Sequence, residues 1–346
     1  MKRALVISGG GSKGAFAVGI LQRLRVSYPL LHFDIIVGTS TGALIAPLAS
    51  LEELDLLEQL YTVHTTENVV TKHRLGDRLN QKSIYSAEPL WQLIKKYITD
   101  DRLNRIMASP SDIYLVTACL QTAGTVVFTT NASPVTPTSY SLRTARDAEH
   151  LRLAIMASAC QPVFMTPIKI DANYSSGREK DFQYVDGGVQ EYAGVQMALD
   201  QGAEEIFCIL LSPSSATPEN KQYDALFPIL ERTISMLSED VEKNDILLPE
   251  ARLQALAYIK AVKQKMLMQG VTQSKIDAYF DIDGTNTLES GKAPRLFILR
   301  PQTSLGGGPG GLVFDPAEMK RMVQTGKGAA QDFVARLDPK DVTWLV

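Results

Sequence analysis

A chain of 346 residues, 45% hydrophobic and 21% charged, has enough apolar content to bury a large core and too much for wholesale disorder. Its 35 Lys and Arg stand against 38 Asp and Glu for a net charge of −3, so no global basic field is on offer to nucleic acid or anionic lipid. Three cysteines without a C-x-x-C pair, and only four histidines, argue against a zinc cage or a dithiol redox motif, and no metal is expected.

The chain opens on an apolar run, Ala4–Ile7, which glycines interrupt before a secretory segment is complete, so it reads as a first strand. A glycine cluster, a helical stretch Ala15–Val26, a second apolar run Phe33–Val37, another glycine turn and the stretch Ala43–Leu51 follow. That rhythm is strand, helix, strand, helix, and strands flanked by apolar helices belong in a parallel sheet covered on both faces. From about Glu52 to Ala108 the pattern turns helical, with a polar stretch from His64 to Ser83, and predicts an excursion from the sheet. The runs Ile113–Thr117 and Thr125–Phe128 flank a Gly124 turn, Thr144–Ala159 reads as a helix, and Ile206–Leu211 as another strand.

Residues 213–292 change character. Two amphipathic helices, Ala225–Glu242 and Pro249–Gln269, are expected there as a lid, a flank or a docking surface. Their apolar positions, Leu226, Phe227 and Leu230 or Met266 and Met268, are expected to face the core rather than lipid. Residues 293–346 supply a last strand, Arg295–Leu299, a flexible loop Gly306–Gly311 and a closing helix Pro316–Leu337. The whole is read as one α/β domain, residues 1–346, with helical insertions at 52–108 and 213–292. No stretch of about 18 apolar residues predicts a membrane span, and the expected compartment is the cytoplasm.

Gly9-Gly10-Gly11-Ser12-Lys13-Gly14 follows a strand and opens a helix, so its backbone N–H groups converge at the positive end of a helix dipole. A Walker loop would need Lys and then Ser or Thr after the last glycine, where Ala15-Phe16 stand. A dinucleotide fingerprint is met by Gly9, Gly11 and Gly14, but the acid it needs at the end of the second strand is replaced by Gly38-Thr39-Ser40. An oxyanion hole is the third use, and a plain packing turn the fourth.

Gly38-Thr39-Ser40-Thr41-Gly42 stands between a strand and a helix, the setting of a nucleophile elbow, although Ser at such a turn also caps helices. Ser12 sits in a second G-x-S-x-G match; Ser40 is preferred because five apolar strand residues run straight into its motif. None of His32, His64, His73 and His150 lies in the last 196 residues, so the usual Ser, acid, His order is hard to build, and surface or core-edge positions are expected for the histidines. A carboxylate base remains: Asp186, in Tyr184-Val185-Asp186-Gly187-Gly188, with Asp283-Gly284 as a comparison turn.

Together these residues resemble the patatin-like phospholipases. Gly9–Gly14 resembles that family's oxyanion-hole motif, Gly38–Gly42 its nucleophile elbow and Asp186-Gly187-Gly188 its acid motif, while Ala157-Ser158 with Pro162, Phe164 and Pro167 resembles the block between them. The resemblance implies a three-layer α/β/α sandwich with a mainly parallel sheet. It further implies a Ser40–Asp186 dyad without histidine or metal, and hydrolysis of lipid acyl esters with transient membrane-surface contact. Tyr192-Ala193-Gly194 departs from the family pattern, which often has Pro here, and residues 213–292 match nothing in it. On the residues alone, a dinucleotide-binding oxidoreductase and a catalytically idle interaction module stay open, as does the oligomeric state.

Overall fold

Each short apolar run becomes a strand, with ends displaced by one or two residues, and its side chains alternate between two cores. The computed structural model describes residues 1–73, 83–215, 222–281 and 294–337. β1 (Arg3–Ile7) leads into α1 (Gly14–Ser27) and β2 (Ile35–Thr39) into α2 (Thr41–Ser50). The excursion holds α3 (Leu54–Val63), α4 (Thr66–Val69), a small hairpin of β3 (Thr71–Lys72) and β4 (Tyr85–Ser86), α5 (Glu88–Tyr97) and α6 (Asp100–Met107). The sheet resumes with β5 (Asp112–Cys119), β6 (Gly124–Thr129) and β7 (Ser141–Thr144), followed by α7 (Ala148–Ala159), β8 (Tyr184–Asp186), α8 (Val195–Asp200) and β9 (Glu205–Ile209). Last come α9 (Leu226–Met268), α10 (Gln273–Phe280), β10 (Arg295–Leu299) and α11 (Pro316–Arg336).

The main sheet runs β10-β9-β1-β2-β5-β6-β7, parallel from β10 to β5, with β6 turned back antiparallel on β5. Leu5, Ile7, Ile36 and Leu115 point into a core shared with α1, α2, α3, α7 and α11, while Val6, Val37, Val116 and Cys208 point into a second core under α8 and Ile246 of α9. This is a three-layer α/β/α sandwich, and period-two burial makes it so: each fully buried Ile, Leu or Val adds about 1.5–3 kcal/mol to holding one layer on another. In such a sheet, sites gather beyond the carboxyl ends of the strands where the chain's direction of winding switches. Here β1 stands at that switch, between β2 and β9.

Two predicted elements differ. The helix expected from Thr144 begins at Ala148, because Ser141–Thr144 pairs with β6 and the Asp147 side chain caps the helix by accepting from His150 N–H at 2.8 Å. The two helices expected in 213–292 are one, α9, with Pro249 inside it. A proline removes a single rung, here the bond back to the Asp245 carbonyl, and the buried Ile246 and Pro249 side chains hold the helix together across it. Asp283-Gly284 lies outside the described residues.

His150, expected at a surface or core edge, is 2% exposed and stacks on Tyr174 at 4.1 Å. Its Nε2 stands 3.5 Å from Asp171, whose carboxylate also accepts from Arg143 at 2.6 Å and from the Tyr184 hydroxyl. Burial pushes the Asp171 pKa up, but the bonds from His150 and Tyr184 and the charge of Arg143 outweigh it and hold the group below its ordinary value. Asp171→Ala should therefore cost about 3 kcal/mol in urea unfolding at neutral pH, by stranding buried partners. A carboxylate with a depressed folded pKa stabilises fully above its unfolded value, so the gap from wild type should persist down to about pH 4 and close as pH falls further.

Candidate active site

One edge of β5 brings the two predicted reacting residues together. β2 follows that edge as far as the pair Thr39↔Val116, and β8 takes it over, antiparallel, at the very next position, Thr117↔Asp186. β6 holds the opposite edge. Ser40, the residue after Thr39, and Asp186 thus arrive at neighbouring places although 146 positions separate them in the chain.

Ser40 adopts φ 57° and ψ −119°, a left-handed turn that a non-glycine residue holds only when its surroundings over-determine it. It occupies the N-cap position of α2, yet its side chain makes no capping bond. Instead the hydroxyl is turned to the Asp186 carboxylate, whose pKa it lowers. The turn is clipped to β5 by Ser158: its Oγ accepts the Ser40 N–H at 3.0 Å and donates to the Val116 carbonyl at 2.6 Å. Gly42 completes the elbow because a Cβ there would fall 2.1 Å from the Ile7 carbonyl oxygen. Gly38 and Thr39 are buried in the strand behind it, and the Thr41 hydroxyl bonds the Tyr61 hydroxyl on α3.

Asp186 is 6% exposed. Its N–H donates to the Cys160 carbonyl at 2.9 Å, and its Oδ1 accepts the Gly188 N–H at 2.8 Å, with Gly187 packed on the Val116 backbone. Burial raises its pKa to about 6, against the bonds from Ser40 and Gly188 that favour the ionised form.

The glycine turn lies beside them. A Cβ on Gly9 would stand 3.2 Å from Ser40 Cβ, and Gly10 and Gly11 line the same cavity as Ser40 and Asp186. Gly11 takes φ 59° with the Gly311 carbonyl pressed against it, so no side chain fits. The backbone N–H groups of Gly10 and Gly11 donate to no other group among the described residues. Gly14 starts α1. Ser12 is buried with its hydroxyl unpartnered, turned to Gly307 and off the cavity wall. The loop expected to be flexible, Gly306–Gly311, packs down on this turn, its Gly307 carbonyl accepting from Val313 N–H at 2.9 Å.

The cavity holds about 460 Å³, within the range of small-molecule sites. Its apolar wall comes from α2, α3 and α5, through Leu44, Leu48, Leu57, Leu60, Leu93 and Ile94. Its polar wall comes from Lys13, Ser212 and, on α9, Arg232, Ser235, Glu239 and Glu242. Burial lowers the Lys13 pKa, opposed by Glu242 and Glu239, while Glu242, raised by burial, is held by Ser212 and by Arg300 at 3.0 Å. Among the described residues no group of three or more His, Cys, Asp or Glu converges as metal ligands would.

Two wall residues escaped the sequence reading, Tyr192 and His64. Tyr192 lies over Gly9 and Gly188, and its N–H and that of Ala193 are held by Asp245 of α9. Beside that bond burial and the Asp245 charge push the Glu191 pKa up. His64, expected near the surface, lines the cavity, its pKa lowered by burial against a bond with Asn68. Only Tyr192 had a signal, as the departure after the acid motif.

The profile of the family described as patatin-like phospholipase matches residues 5–199. The chain is 44% identical over 66 residues to an Escherichia coli protein named "cUMP-AMP-activated phospholipase", a match covering 18% of this chain and 21% of that one. It is 22% identical over 201 residues to "Probable lipid hydrolase 463L" of Invertebrate iridescent virus 6, covering 57% and 63%. The chain thus spans about a fifth and just under two thirds of these relatives' lengths. Among solved structures it is similar to VipD from Legionella pneumophila at 11% identity and a TM-score of 0.43, over 96% of this chain and 66% of that one.

Ser158 offers a test of how the elbow is held. Ser158→Ala leaves the Ser40 N–H and the Val116 carbonyl without their partner, and should lower stability by about 1–3 kcal/mol in urea unfolding. An unchanged midpoint would mean the clip carries no load.

Proposed function

Because this chain belongs to the patatin-like phospholipase family, a family of lipid hydrolases, we propose that it cleaves lipid acyl esters through Ser40 as nucleophile and Asp186 as its general base. The observation that carries this reading is the Ser40 hydroxyl turned to a buried carboxylate, beside two backbone N–H groups that donate to no other group among the described residues and an apolar wall. The acid that a dinucleotide fingerprint needs has no counterpart at the end of β2, where Ser40 stands.

The acyl chain lies along the leucines of α2, α3 and α5, and the ester carbonyl sits over Ser40. Ser40 Oγ attacks the carbonyl carbon while its proton passes to Asp186, and the negative oxygen is held by the N–H groups of Gly10 and Gly11 at the start of α1. Loss of one such donor typically costs about 2.7–4 kcal/mol of barrier. The carbon–oxygen bond to the alcohol then breaks, and the departing oxygen takes the proton from Asp186. Water enters, gives a proton to Asp186 and attacks the acyl-serine; the fatty acid leaves as Ser40 recovers its hydrogen. An aspartate near its ordinary pKa of about 3.9 would be a weak base for this work. One raised to about 6 lies closer to neutral pH and accepts the proton more readily.

Ser40→Ala and Asp186→Asn should each abolish turnover of a soluble p-nitrophenyl ester, and a fluorophosphonate probe mapped by mass spectrometry should label Ser40 and not Ser12. Retained turnover in either variant would refute the dyad. Since the base works ionised, kcat/KM should rise with pH through an apparent pKa of about 6. A flat profile from pH 5 to pH 8 would count against Asp186. Leu60→Trp and Leu93→Trp, which narrow the apolar wall, should cut long-chain ester turnover about tenfold and leave short-chain esters nearly untouched.

A further inference from the structure

α9 turns a polar row to the cavity and an apolar row to its outer side. Arg232, Ser235, Glu239 and Glu242 point to the cavity, whereas Leu226, Met236, Leu237, Leu247 and Leu248 are 75%, 56%, 64%, 59% and 72% exposed. A helix on the surface of a soluble domain normally does the reverse. Leu226, Leu237 and Leu248 recur at steps of eleven residues, close to three turns of about 3.6 residues each. Met236, Leu247 and Tyr258 repeat the same step alongside, so the exposed side chains form one stripe along the helix.

Beyond Pro249 the helix continues as an arm. No residue of 251–268 is buried, and Tyr258, Met268 and, on α10, Tyr279 are 72%, 88% and 65% exposed. The core-facing position expected for Leu226 and Met268 is thus corrected, while the side chain of Phe227 lies outside the described residues. The arm also departs from the acidic balance of the chain. Residues 251–281 carry five cations, Arg252, Lys260, Lys263, Lys265 and Lys275, against Asp277 and Asp281, a net of +3 in a chain of −3.

We propose that this stripe and its basic arm are the surface on which the protein rests against an anionic lipid bilayer. An apolar helical face joined to a cationic extension is the complement of such a surface: the leucines enter the headgroup boundary and the lysines meet the anionic headgroups. Among the described residues no helix is long and apolar enough to cross a membrane, so α9 lies on the lipid rather than spanning it. The opposite side of the same helix is the polar cavity wall, so docking sets the cavity about one helix diameter, ~10 Å, from the lipid. This deepens the proposed lipid hydrolysis and rests on it for the meaning of that placement.

Docking is tested apart from chemistry by sedimenting Ser40→Ala protein with vesicles of phosphatidylcholine alone and of an equal mixture with phosphatidylglycerol. The protein should partition at least tenfold more strongly onto the anionic vesicles, and high salt should remove the difference. Leu237→Glu with Leu248→Glu should weaken binding to them at least tenfold. Lys260→Glu with Lys265→Glu should do so by roughly tenfold and only on the anionic vesicles. Thermal midpoints of both pairs should stay at the parent value, which separates lost docking from lost folding. No sedimentation of the parent protein with anionic vesicles, or binding by either pair as strong as the parent's, overturns the proposal. So does a solution dimer that the leucine pair splits, which assigns the stripe to a second copy of the chain. Absence of sedimentation by the parent protein with soluble-ester turnover intact in its Ser40 form refutes docking alone; absent turnover with sedimentation intact refutes the hydrolase reading alone.

Discussion

The backbone of β5 is the ruler against which Ser40 and Asp186 are both placed. One edge of this strand serves two partners in succession, β2 up to Val116 and β8 from Thr117. Because ladder hydrogen bonds fix register to the residue, Ser40 and Asp186 meet wherever both strands pair correctly. Ser158 reads the same ruler: it bonds the Val116 carbonyl and the Ser40 N–H together, so the strained elbow is tied to the strand that positions the acid. The local cost of Ser40's left-handed backbone, of order 1–3 kcal/mol, is met by packing and hydrogen bonds around it.

Burial then gives this geometry its chemical character. Asp186 sits in the layer between β5, Cys160 and Gly188 with little water, which disfavours its charge and moves its pKa towards neutrality. Two hydrogen bonds stop that drift short of permanent protonation. On the other side of the cavity, α9 places carboxylates and an arginine near Lys13, so one wall is apolar and one charged. The helix that supplies the charged wall also holds the loop after the acid, through Asp245 and the N–H groups of Tyr192 and Ala193. The polar wall and the acid's loop are therefore mechanically one unit.

Much of this was legible in the sequence because its signals are local. Apolar runs of four or five residues between glycines mark buried strands, and glycine flanks around Ser40 and Asp186 mark turns where backbone crowds a side chain. What was hidden depends on long-range pairing. Ser158 could be singled out within its block, but its task needs a carbonyl of β5, 42 positions away. Pro249 suggested a boundary on local grounds, and tertiary packing overrode it. Periodicity revealed that α9 has an apolar stripe without saying which way the stripe faces, since the period of a helix is the same whichever side meets the core. Glycine content suggested a loose 306–311 segment, whereas contact with Gly11 and Ser12 presses it flat.

The shared strand edge has an architectural corollary. Since Ser40 and Asp186 are both indexed to β5, residues 52–108 are not needed to set their register. The excursion that lines the apolar wall hangs from the sheet as an interchangeable cassette. Evolution, or an engineer, can lengthen, trim or replace it to remodel the apolar side of the cavity while Ser40 and Asp186 keep their spacing. Diversity of substrate and constancy of chemistry are thereby assigned to separate stretches of one polypeptide.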